Sequence, residues 1–188
     1  MTATPNQVVI SLVSALDAEG VACMRVGSFS SNAHGIPRST KEVGVLGQSD
    51  HDIARLLGER LGPDFRFEPQ MSLETITSTT KNVIYHKSTV FKIEVFHLSS
   101  DAHDTQRFSR RRRGMLDGVK VWLPSPEDVV ITKLRWSRAP GRQKDIDDVA
   151  DVLAVQTGKL DVAYMRNWCG QHGTLETLEK LMIQADLM

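Results

Sequence analysis

Two carboxylates, a glycine–serine turn and a set of scattered cations are the residues of this 188-residue chain whose types and spacing could do chemistry. Gly27-Ser28 closes an apolar segment and precedes a helix-like stretch at 30–34. The unpaired N–H groups of a helix start, with the hydroxyl, could take an anion. Many strands end in Gly-Ser, so a plain turn stays open beside the anion site. Arg38 and Lys41 follow, either as phosphate contacts or as ion-pair partners. Glu42 and Glu94 belong to short apolar segments, and are either two exposed strand acids or two carboxylates turned into one cleft. The run Arg110-Arg111-Arg112-Arg113 is the strong local cluster of charge. Guanidinium groups suit a triphosphate or a nucleic acid, and such a run also makes a solvated loop or helix end. Only Phe108 is near it, so the aromatic interleaving of a nucleic-acid binder is missing and nucleic acid is not the expected partner. Lys133 and Trp136 lie three apart and share a helix face, as a core tryptophan with a snorkelling lysine or as a lysine reaching a cleft. Lys144-Asp145-Ile146-Asp147-Asp148 could suggest metal ligands, but an acidic helix start favoured by the macrodipole explains it. His34, just before Gly35, reads as a cap or packing histidine rather than a catalyst.

The elements that must position these residues alternate as in an α/β domain. Val8, Val9, Leu12, Val13 and Leu16 make a helical face that Gly20 ends. Val21 to Val26 is a short buried strand bounded by glycines, 43–46 a second, and 50–61 an amphipathic helix with Ile53, Leu56, Leu57 and Leu61 inward. Segments 82–85 and 90–96 read as an antiparallel pair joined through His86-Lys87-Ser88-Thr89, and 119–123 as a further strand. Beyond Pro124 the pattern turns helical. Ser125 is an N-cap with Pro126 at the first position, and Glu127 and Asp128 sit in the favourable first turn. Helical periods recur at 145–155, 161–168 and 174–182. The expected division is an α/β core at 1–123 and a helical part at 124–188.

Composition narrows the function classes. Lys+Arg 23 balance Asp+Glu 23, so nothing in the overall charge draws the chain to nucleic acid or membrane, and any polyanion site must be a local patch. The start lacks a signal-peptide pattern, and no apolar stretch approaches the roughly 18 residues of a membrane span. A cytoplasmic protein is the expectation. Cys23 and Cys169 have neither metal-ligand spacing nor a disulfide framework and read as free, largely buried thiols.

Gly27-Ser28, Arg38-Ser39-Thr40-Lys41-Glu42-Val43-Gly44 and Lys92-Ile93-Glu94-Val95-Phe96 together resemble the nucleotidyltransferase superfamily. Within it they resemble the small bacterial proteins that include abortive-infection type toxins and minimal nucleotidyltransferases. The resemblance runs from about Val21 to Gly173. It takes in Ser125-Pro126-Glu127-Asp128, Lys133-Leu134-Arg135-Trp136, Asp148 and Leu160-Asp161-Val162-Ala163-Tyr164. It implies an α/β (α+β) fold, a nucleotidyltransferase-like mixed sheet flanked by helices with a small C-terminal helical part. It also implies a nucleoside triphosphate such as ATP as ligand and transfer of a nucleoside monophosphate to an acceptor hydroxyl. Two Mg²⁺ ions would be held by carboxylates at the places of Glu42, Gly44 and Glu94. Gly27, Ser28, Arg38, Lys41, Arg111, Arg112 and Lys133 are the implied nucleotide contacts, and Asp148 pins helices together.

The pattern departs from the family at one place. Residues i and i+2 of a strand aim side chains at one spot, and there the chain offers Glu42 but Gly44. Glu42 and Glu94 are the remaining catalytic and metal candidates. Mg²⁺ binding is expected to be weak or absent and catalysis weak or lost, as in a pseudoenzyme. A ligand set rearranged around Asp50 or Asp52 is the alternative for a working enzyme. A nucleotide- or protein-binding module, with a protein partner in a toxin–antitoxin or defence system, is the non-catalytic reading. A strand glycine leaves open space, so Gly44→Asp is expected to fit without severe strain.

Overall fold

The computed structural model describes residues 4–48, 53–87, 91–116 and 118–186. In chain order the elements are α1 (Pro5–Ala18), β1 (Ala22–Val26), α2 (Ser28–His34), β2 (Glu42–Gln48), α3 (Ile53–Leu61), β3 (Phe65–Phe67), β4 (Ser72–Glu74), β5 (Thr79–His86) and β6 (Lys92–His97). There follow α4 (Ala102–Ser109), β7 (Arg112–Leu116), β8 (Val119–Leu123), α5 (Pro126–Ser137), α6 (Gln143–Val155), α7 (Val162–His172) and α8 (Leu175–Asp186). Residues 49–52 and 88–90 lie outside the described residues. So do Asp50, Asp52 and the expected turn at Ser88-Thr89.

The sheet runs β1-β2-β6-β5-β3, with β4 also on β5. Among the described residues only β2 and β6 pair in parallel, and the other pairs are antiparallel, so the sheet is mixed. Strand alternation sorts its two faces. Cys23, Val43, Val45, Ile84, Ile93 and Val95 meet Val8, Val9, Leu12 and Leu16 of α1 and Ile53 and Leu57 of α3. The opposite face carries Met24, Val26, Leu46 and Phe96 beneath Phe108, Trp122 and Trp136. A third core, from Val129 to Leu181, belongs to α5 through α8.

Local sequence accounts for the helix ends. Thr4 and Gln7 form a capping box on α1, and Gly20, just past its C-cap Glu19, takes φ +68°. Ser125 accepts from the Asp128 N–H with Pro126 at the first position of α5. Asp161 caps α7, and Gly173 ends it in the left-handed conformation. The carboxyl half is tied back by Asp128, which accepts from Tyr164 at 2.7 Å and Ser125 at 2.8 Å and lies 3.2 Å from His103 Nε2. This joins α4, α5 and α7. Among the described residues no helix is long and apolar enough to cross a membrane. Cys23 and Cys169 are free and buried.

The sequence reading left out four elements. β3 and β4 are three residues each, below what alternation can register. α4 buries His103, Asp104 and Arg107 beside Phe108, so its inward face is polar and hides from an apolar period. The Arg110 to Arg113 run is a helix end leading into β7. Arg111 and Arg113 lie over Trp122, which shields a strand that reads as a solvated loop.

Candidate functional site

β2 and β6 run side by side with Glu42 opposite Lys92 and Gly44 opposite Glu94. Glu42, Gly44 and Glu94 therefore face one way, and all three line a cleft of about 280 Å³ together with Gly27 and Ser28. Glu42 and Glu94 thus lie on adjacent strands and share a cleft with the Gly-Ser turn, the arrangement that the resemblance implies. The outer wall is Leu73, Glu74 and Ile76, and the far wall is Lys133, Trp136, Arg142, Lys144 and Asp145 from the carboxyl half.

Every acid in the cleft has a partner. Glu94 Oε1 accepts from Lys81 at 2.6 Å and from Lys92 at 2.8 Å. Lys81 arrives diagonally, since β5 sets Val83 opposite Glu94 and Lys81 opposite Phe96. Burial alone would raise the Glu94 carboxyl, but the hydrogen bonds from Lys81 and Lys92 outweigh it and hold the group below the usual carboxylate range. Lys92 also loses something to burial, and its bond to Glu94 more than restores its charge. Lys144 Nζ stands 3.6 Å from Glu42. Glu74 is turned onto the backbone N–H groups of Ile76 at 2.7 Å and Thr77 at 2.9 Å. Lys133, only 4% exposed, bridges Asp145 at 2.8 Å and Asp148 at 2.6 Å.

Asp148 is the tie between α2, α5 and α6. It accepts from Arg38 Nε at 2.7 Å, Ser31 at 3.0 Å and Lys133, and burial, which would raise its pKa, is outweighed by these bonds. Arg38 also donates to Ser28 Oγ at 3.1 Å, so this guanidinium orients the serine and stands behind the wall. Lys41 is exposed, and its carbonyl accepts from Lys92 N–H at 3.1 Å. Arg111 donates to the Phe108 carbonyl at 2.6 Å and stacks on Phe108 and Trp122. Arg112 is exposed on β7 opposite Leu123. Among the implied nucleotide contacts Gly27, Ser28 and Lys133 line the cleft, and Arg38, Lys41, Arg111 and Arg112 do not. His34 Nε2 lies 2.9 Å from the Pro124 carbonyl, and burial, its largest influence, lowers its pKa.

Lys81 and Trp136 line the cleft and Lys92 reaches Glu94 from beside it, and motif reasoning assigned none of the three to the site. The signal for Lys81 was its strand phase, two residues before Val83 and three before the inward Ile84. It becomes legible only once the β5–β6 register is known.

The donors do not fit a two-metal centre. Mg²⁺ calls for oxygen ligands in near-ideal octahedral geometry. Here Gly44 offers none, and one oxygen of Glu94 carries two ammonium groups. Among the described residues no three His, Cys, Asp or Glu side chains converge as a metal cage.

Gly44 is also not the open position expected of it. A Cβ built there would stand 2.9 Å from Val26 Cγ2 and 3.0 Å from the Val26 carbonyl oxygen. β1 approaches β2 with Val26 directly opposite Gly44, so any side chain at 44 pushes on the neighbouring strand. The expectation that Gly44→Asp fits without strain is corrected on this point.

No protein-family model matches the chain, and no curated protein matches it. Solved structures do. The crystal structure of ANT(2'')-Ia in complex with adenylyl-2''-tobramycin superposes with a TM-score of 0.65 at 11% identity, over 91% of this chain and 98% of that one. The solution structure of the antibiotic-resistance factor ANT(2'')-Ia gives 0.65 at 14% identity, over 96% and 99%. An antigenic nucleotidyltransferase-like protein from Paracoccidioides brasiliensis gives 0.56 at 16%, over 92% and 91%. These likenesses show that the chain has a nucleotidyltransferase-like fold.

Proposed function

We propose that this protein is a nucleotide-binding member of the nucleotidyltransferase fold whose ancestral reaction, transfer of a nucleoside monophosphate from a triphosphate to an acceptor hydroxyl, is weak or lost. One observation carries the reading. At the place where three carboxylates would converge, Gly44 contributes no oxygen and Glu94 is held by Lys81 and Lys92. The remaining cleft still suits a nucleotide, with the aromatic and aliphatic walls of Phe96, Trp136, Leu73 and Ile76 beside Lys81, Lys133 and Lys144.

The chain's own groups then have separable tasks. Lys81 and Lys144 line the cleft and would serve as the contacts to phosphate oxygens. Lys133, locked by Asp145 and Asp148, keeps the far wall in place, and Arg38 fixes the rotamer of Ser28. None of these is a general base aimed at an acceptor hydroxyl. Calorimetric titration with ATP, paired with an assay of label transfer from α-phosphorus-labelled ATP, tests the proposal. The expected result is saturable binding with no transfer above a heat-denatured control. Transfer above that control refutes the loss of catalysis, and the absence of ATP binding under every metal condition refutes the nucleotide.

A further inference from the structure

We propose that the cleft takes the phosphate groups of a nucleotide without a divalent cation, with Lys81, Lys92 and Lys144 standing electrostatically where metal ions would stand. This rests on the nucleotide reading above and adds to it the counter-charge and its sign.

The charge balance points there first. Glu42 and Glu94 have three ammonium groups within 4 Å, Lys81 and Lys144 in the cleft lining and Lys92 beside it, a net single positive charge, and the remaining lining charges, Glu74 and Asp145 against Lys133 and Arg142, cancel. Three carboxylates holding two dications would also carry a net single positive charge. The floor thus reaches, with side chains alone, the electrostatic condition that a metal-loaded floor supplies to an incoming polyphosphate. Lysine ammonium groups on flexible stems are suited to this, because each keeps N–H donors beyond the one given to a carboxylate. Lys81 and Lys92 share one oxygen of Glu94, so neither is saturated by it.

Geometry points the same way. Lys81 Nζ also lies 5.4 Å from the Phe96 ring centroid on the cleft floor, and Phe96 and Trp136 stand 6.0 Å apart as neighbouring aromatic walls. Trp136 Nε1 is buried and has no hydrogen-bond partner among the described residues. A buried donor without an acceptor is costly, and a ligand oxygen or ring nitrogen would satisfy it. A divalent cation, by contrast, would reach Glu94 against the repulsion of two ammonium groups held at Oε1, with no oxygen from Gly44 to offset it. In solution it would also mask the phosphate charge that the lysines attract. Mg²⁺ therefore competes with this cleft for the nucleotide.

ATP titrated into the full chain in EDTA and in excess Mg²⁺ gives the decisive comparison. The expected result is binding in EDTA that weakens several-fold when Mg²⁺ is added. Binding seen only with Mg²⁺ overturns the inference while leaving the nucleotide reading intact. No binding in either condition overturns both. Glu94→Gln gives an independent reading of the sign. It removes the charge that competes for Lys81 and Lys92, so metal-free ATP affinity should rise about tenfold, the scale of one unit charge a few ångströms away under partial screening. If Glu94 instead holds a metal, Glu94→Gln weakens ATP binding measured with Mg²⁺ and leaves the metal-free affinity unraised, which overturns the proposal. Lys81→Gln should lose metal-free binding and Lys81→Arg should keep it. Equal loss in both, with circular dichroism unchanged, also counts against the proposal.

Discussion

Gly44→Ala isolates the close approach of β1 to β2 without adding charge. Gly44 does not have positive φ, so alanine meets no backbone strain there. Through the unfolded chain the added methyl should stabilise by about 0.4–1 kcal/mol. Against this stands overpacking, because the new Cβ would lie 2.9 Å from Val26 Cγ2 and 3.0 Å from the Val26 carbonyl oxygen. The first contact is with a β-branched side chain that is 2% exposed, and the second is with backbone, so neither yields easily. Forced methylenes in packed cores cost about 1–3 kcal/mol. The steric term wins, and a net loss of about 0.5–2 kcal/mol is expected, read by urea unfolding as a lower midpoint at unchanged slope. In a Val26→Ala background the Cγ2 contact is gone while the carbonyl contact remains. Adding Gly44→Ala should then cost about 1 kcal/mol less than in wild type, a coupling visible in a double-mutant cycle. A neutral or stabilising Gly44→Ala, or additive behaviour in the cycle, would refute the close approach. Gly44→Asp inherits the same penalty, so restoring the missing carboxylate requires Val26 to change as well.

Three further outcomes follow from the side-chain network. Asp148→Ala removes the acceptor shared by Arg38, Ser31 and the buried Lys133, and urea unfolding should show a loss of about 3–5 kcal/mol, the cost of breaking a buried pair from one side. Arg111→Ala with Arg112→Ala should leave ATP affinity within about twofold, since an uncompensated phosphate contact would cost far more; a large loss would place the run at the ligand after all. His172 is lowered from 6.5 to about 4, chiefly by burial and then by the charge of Arg135, and His103 is lowered chiefly by burial. Between those pH values the unfolded chain binds protons that the folded chain refuses, so stability should fall as pH drops from about 6.5 towards 4. His172→Gln should flatten that part of the urea-midpoint profile, and an unchanged slope would refute the assignment.

Residues whose placement follows from local rules were legible in the sequence. The Ser125-Pro126 start of α5, the inward faces of α1 and α3, and the shared direction of Glu42 and Gly44 come from capping and period, and the placing of Glu94 beside them came from the resemblance. What escaped depends on partners far along the chain. Lys81 reaches Glu94 only through the β5–β6 register, and Lys92, in plain view within the motif, gains its meaning from the same carboxylate. The arginine run read either as a phosphate contact or as a solvated loop or helix end, and neither reading anticipates the strand β7 that it enters. Here Trp122 and Phe108 cover the guanidinium faces of Arg111 and Arg113 lies over Trp122, and Arg110 closes on Asp128 and Tyr164. Gly44 misled because a glycine's missing side chain looks like vacancy, when the neighbouring strand had already filled it.

The seven-residue α2 is too short to persist by itself, and besides its seat on the sheet it is tied to α6 at several points. Asp148 accepts from Ser31, Gln156 donates to the His34 carbonyl at 2.8 Å, and Gly35 passes so near α6 that a Cβ there would stand 2.9 Å from the Val152 nitrogen. Ser28, at the other end of α2, therefore depends in part on the docking of α6. When α6 fluctuates open, α2 loses these ties and the Gly27–Ser28 rim loosens, so amide exchange in the two segments should be coupled. A ligand resting on that rim would then slow exchange along α6 beyond Lys144 and Asp145, in residues that do not line the cleft.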